Sequence, residues 1–71
     1  MSKDEIQERQ RKLLHSIVMA TSEEEVDQLF SETETFLAQY SQYLGSKEYS
    51  DSLQALRVFS WKAKHKLQEG I

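Results

Sequence analysis

Apolar residues recur along this chain in steps of three and four, with no strand-like alternation of useful length, so the pattern predicts helix throughout. The clearest stretch holds Val26, Phe30, Thr33, Leu37, Tyr40 and Leu44, with Leu29, Phe36 and Tyr43 as a second row beside it. Together they make one wide apolar face on a helix expected over residues 22–44. Thr21 with Glu24, and Ser22 with Glu25, each have the spacing of a capping box at its start. Gly45 supplies the left-handed C′ residue that ends it. A last helix is expected over residues 47–69, stopped by Gly70. Tyr49, Leu53, Leu56, Ala63 and Leu67 form its main stripe, Ser60 fills a gap, and Phe59 flanks it.

The first helix is expected over residues 3–20, with Ser2 and Glu5 as its capping box. Its opening turns are polar except for Ile6, which makes them a candidate for fraying. From Leu13 the chain is apolar on every side through Leu14, Ile17, Val18 and Met19, so burial of this second half is expected. The short link at Gly45–Ser46 makes the second and third helices antiparallel neighbours. The expected architecture is therefore an all-α, single three-helix domain: a short N-terminal helix plus a long antiparallel helical hairpin.

One strip breaks this pattern. At about 100° per residue, Trp61 falls far from the main stripe of the last helix. Val58 and His65 lie beside it, and Arg57 flanks it. A two-helix contact cannot bury both faces. Either the first helix packs over the strip, or the strip is an interface, for a second copy or a foreign partner. Trp, Tyr and Arg are the residue types enriched at binding hot spots. Tyr40, Tyr43 and Tyr49 around the hairpin turn form a lesser contact candidate.

Charge adds a second layer. The net of −3 hides a middle segment, residues 21–45, with six acidic side chains and no basic ones. Residues 46–71 carry five basic and three acidic side chains. The antiparallel hairpin sets Glu23–Asp27 beside Lys62, Lys64 and Lys66, so most of this segregation is expected to serve the fold. Two basic clusters, Arg9, Arg11 and Lys12, and Arg57 with those three lysines, have the residue types for phosphate contacts. The overall pI near 5.3 argues against nucleic acid as the main partner.

Composition narrows the chemistry further. With 71 residues the chain makes one domain, and without cysteine it has neither disulfides nor a cysteine-based zinc site. His15 and His65 have no ligand spacing around them, so no metal is expected. No nucleophile elbow, phosphate-binding glycine loop or paired carboxylates in contrasting environments appear. The expectation is a non-catalytic protein with no cofactor. The longest uninterrupted apolar run is Ile17–Ala20, and the N-terminus has no signal-peptide core, so the sequence reads as cytoplasmic with no membrane role. Its size and helix pattern resemble those of small bacterial and phage helpers, such as secretion co-chaperones, bacteriocin immunity proteins and inhibitors. That resemblance implies a protein-binding adaptor, chaperone or inhibitor, and it carries over no functional residue. Binding through the third helix is the leading expectation. A nucleic-acid-binding regulator and a homo-oligomeric structural protein are the alternatives.

Overall fold

The computed structural model describes residues 2–69, all of whose regular structure is α-helical. The helices are α1 (Lys3–Val18), α2 (Glu23–Gln39), α3 (Ser41–Leu44) and α4 (Ser46–Glu69). The expected stop at Gly70 lies outside the described residues.

The helix starts follow the capping chemistry. Ser2 Oγ accepts the Glu5 N–H at 3.3 Å. Of the two candidate boxes before α2, Ser22 is the cap: its Oγ accepts the Glu25 N–H at 3.1 Å. Glu25 reaches back one residue further than in a standard box. Its Oε2 accepts both the N–H and the hydroxyl of Thr21, at 3.2 and 3.1 Å.

The expected second helix is broken. Tyr40 leaves helical geometry at φ −108°, ψ 18°, and the short helix α3 follows it. Neither proline nor glycine stands at the break. Tyr40, Ser41 and Tyr43 are all weaker helix formers than Ala, Leu or Glu. Tyr40 packs instead between Phe36 and Tyr43, with ring centroids 5.0 and 6.0 Å away. Leu44, one turn later, still reaches the core.

Gly45 then turns the chain at φ 84°, ψ 159°. This is not the left-handed helical region expected of a helix stop. It is an extended positive-φ conformation that essentially only glycine adopts. Gly45→Ala is therefore expected to cost about 1–3 kcal/mol through backbone strain alone, because a Cβ there meets nothing within 4 Å. A thermal melt checks this, with a drop of roughly 4–8 °C for each kcal/mol.

The core is built from Ile6, Ile17, Val26, Leu37, Leu44 and Leu56, closed by Ala20 and Ala63. α1 packs against both α2 and α4, and α2 packs along α4. The ion pair Lys3–Glu48 (2.7 Å) joins the starts of α1 and α4. At the other end, a surface pocket is lined by Val18 of α1 and by Phe59 and Ala63 of α4. α1 therefore runs parallel to α4, in the furrow that α4 makes with α2.

This placement corrects two expectations about the first helix. Its opening turns are docked: Ile6 is fully buried, at 0% exposure. Its second half is buried on one side only: Ile17 and Ala20 are buried, but Val18 and Met19 stand in solvent. The core-facing stripe is Ile6, Gln10, Leu13, Leu14 and Ile17, of which Gln10, Leu13 and Leu14 are half-buried and Leu14 packs against the core. Val18 and Met19 fall off that stripe at about 100° per residue.

Two polar side chains lie in the core. The Thr33 hydroxyl donates to the Leu29 carbonyl at 2.7 Å. The Ser60 hydroxyl is buried with no hydrogen-bond partner among the described residues. An unpaired buried hydroxyl costs about 1–3 kcal/mol, and alanine is also the better helix former. Ser60→Ala is accordingly expected to stabilise the protein by about 1 kcal/mol or more, read as a higher urea midpoint at unchanged slope.

Candidate functional site

The buried stripe of α4, Leu56–Ser60–Ala63, faces α1 and α2. Trp61 lies roughly 130° around the helix from its centre, and Val58 and His65 point almost directly away from it. Since α1 occupies the furrow between α2 and α4, no helix among the described residues covers this outer strip. Trp61 is 65% exposed. Of the two readings of the strip, coverage by the first helix is therefore incorrect. The reason is economy of burial. In the furrow α1 hides Ile6 and Ile17 against two helices at once, whereas on the back of α4 it would meet only one.

Trp61 is exposed but not isolated. The His65 imidazole stacks on its indole, with centroids 5.2 Å apart and planes 5° from parallel. His65 Nε2 in turn lies 3.0 Å from Glu69 Oε1. The three residues are spaced i, i+4, i+8 on one helix, so the regular backbone sets their order. An aromatic side chain braced in this way loses less freedom when a partner lands on it.

A second apolar area adjoins the strip. Phe59 sits on the α1 side of α4 beside Val18, and Met19 at the end of α1 is 65% exposed. Lys62 lies on the helix surface between Val58 and Phe59. Val18, Met19 and Phe59 were not singled out as contact residues from the sequence. The signal that could have found Val18 and Met19 is the 6–10–13–14–17 spacing of the α1 stripe, which leaves both outside it.

The electrostatics of this end of the molecule are uneven. Residues 57–68 carry Arg57, Lys62, Lys64 and Lys66 and no carboxylate. Lys64 pairs with Asp27 of α2, and Gln68 donates to Glu23 at 2.8 Å. The expected meeting of acidic α2 start and basic α4 end is thus present, but it engages only one of the lysines. Arg57, Lys62 and Lys66 form no ion pair among the described residues.

The tyrosines do not join this surface. Tyr40 is half-buried in the Phe36–Tyr40–Tyr43 row, Tyr49 packs against the core, and only Tyr43 is well exposed. Along α4, Tyr49 is about 18 Å from Trp61 at 1.5 Å per residue. Arg9 and Lys12 line a separate shallow depression on α1 that includes Asp4, Glu5 and Glu8. The two basic clusters are therefore on different helices, and the first is mixed with carboxylates. Among the described residues, no group of three His, Asp or Glu side chains is placed to hold a metal ion, and no helix is long and apolar enough to cross a membrane.

No protein-family model, no curated protein and no solved structure matches this chain. The fold and the surface define a small all-α domain whose last helix presents an uncovered aromatic strip.

Proposed function

We propose that this protein is a non-catalytic interaction module that binds another protein through the outer face of α4, as an adaptor, chaperone or inhibitor does. The observation that carries the reading is Trp61, the only tryptophan of the chain, exposed and braced by His65 and Glu69. Val58 and Arg57 complete the strip, and Met19, Val18 and Phe59 extend it. Several large apolar side chains left exposed at one end of a small domain are a candidate contact site. Tyr43 remains the smaller candidate at the far end.

Self-association through the strip is disfavoured by charge. Pairing two α4 helices through the strip brings the flanking Arg57 and Lys62 of the two copies together at the seam, and like-charge juxtaposition is unfavourable there. Binding of extended nucleic acid is disfavoured by the acidic first turn of α2, which Gln68 and Lys64 tie to the end of α4.

The test is affinity capture from the native host with wild type and Trp61→Ala side by side, each first checked by sedimentation. The reading expects a monomer and a protein retained by wild type alone. A tight dimer that Trp61→Ala dissociates would transfer the strip to self-association. Equal capture by both proteins would remove the strip from the function.

A further inference from the structure

The pocket between the end of α1 and α4 is lined by Val18, Phe59, Lys62, Ala63 and Lys66. Its volume is about 200 Å³, below the range of roughly 300–1,000 Å³ typical of small-molecule sites. It is close to the space that one large side chain needs. A second depression shares Val18, Ala63 and Lys66 and continues over Met19 towards Leu67. The two make one short groove with an apolar floor. Lys62 and Lys66, one turn apart on α4, stand along it. Neither is neutralised by an ion pair among the described residues.

We infer that this groove takes an acidic peptide segment of the partner, with a large apolar side chain seated between Val18, Phe59 and Ala63 and carboxylates on Lys62 and Lys66. The inference rests on the reading of α4 as a protein-contact surface, and it adds the chemistry of what is bound. The apolar floor asks for an apolar anchor, and the unpaired ammonium groups ask for negative charge around it. The chain's own acidic helix does not supply that combination. α2 carries Glu23, Glu24, Glu25 and Asp27, but no large apolar side chain of α2 is exposed. α2 of a second copy therefore has no acidic apolar face to offer.

The test uses a random-peptide library displayed on phage, selected on the immobilised protein. Enriched peptides are synthesised and titrated by fluorescence anisotropy against wild type, Lys62→Glu/Lys66→Glu, Lys62→Gln/Lys66→Gln and Trp61→Ala. The expected peptides combine Asp or Glu with an aromatic or leucine. Their affinity should fall at least about tenfold on charge reversal, by less on neutralisation, and with rising salt. Both lysines project from the surface, and circular dichroism confirms that the variants fold. Neutral or basic peptides, or peptides indifferent to the lysine changes yet lost with Trp61→Ala, would overturn the acidic groove and leave the α4 contact surface standing. Peptides indifferent to every variant would overturn both. No enriched peptide, with random-sequence duplex DNA bound at low salt and released by Lys62→Glu/Lys66→Glu, would give the lysines to phosphate and overturn the inference.

Discussion

Ile6→Ala is expected to destabilise the protein by about 2–5 kcal/mol, the usual range for deleting most of a fully buried branched side chain. A core of this size supplies only about 3–5 kcal/mol in total, so the variant should be largely unfolded at physiological temperature. Ile6 is the one large apolar residue in the first two turns of α1, and no other side chain there can take its place. The nearby Lys3–Glu48 pair cannot compensate, because an exposed pair of this kind contributes about 0–1 kcal/mol. Urea unfolding followed by far-ultraviolet circular dichroism measures the effect. A loss below about 0.5 kcal/mol, the level of an ordinary surface change, would mean that the start of α1 is not docked.

Trp61→Ala should do the opposite: leave the fold alone and remove the function. Its side chain is 65% exposed and stands off the buried stripe of α4, so stability should move by no more than about 0.5 kcal/mol. Partner affinity should fall by at least about 2 kcal/mol, or roughly thirtyfold, as at a hot-spot tryptophan. His65→Ala should reproduce part of that loss by releasing the indole from its stacked position. The contrast with Ile6 is the diagnostic feature. One substitution melts the protein and the other disables a folded one, and calorimetry on the purified partner pair reads both quantities.

Much of the fold was legible because its signals are local. Ser2 with Glu5 and Ser22 with Glu25 are three residues apart and need nothing beyond their own helix turn. Gly45 marks the hairpin, and the hairpin then dictates that Asp27 meets Lys64. The break at Tyr40 was not legible, since neither glycine nor proline announces it and the aromatic packing of Phe36, Tyr40 and Tyr43 takes part in it. The docking of Ile6 was missed because Gln10 interrupts its stripe with a polar residue.

The candidate site was half legible for a related reason. Helical spacing separates Trp61, Val58 and His65 from the buried stripe of α4 without any knowledge of the fold. Which of two apolar faces α1 covers is a choice made between elements distant in sequence. That choice exposes Trp61 together with Val18 and Met19, a combination that no single helix reveals. Tyr49 went the other way, from contact candidate to core neighbour.

The central claim is that the outer face of α4 is open in the free protein and available to a partner. Trp61 reports on it without ambiguity, because it is the only tryptophan. The direct measurement is its emission and acrylamide quenching in protein shown by sedimentation to be monomeric, followed down to nanomolar concentration. An open face gives a water-exposed, readily quenched spectrum that does not change on dilution. A blue-shifted, quencher-resistant emission that persists in dilute monomer would contradict it.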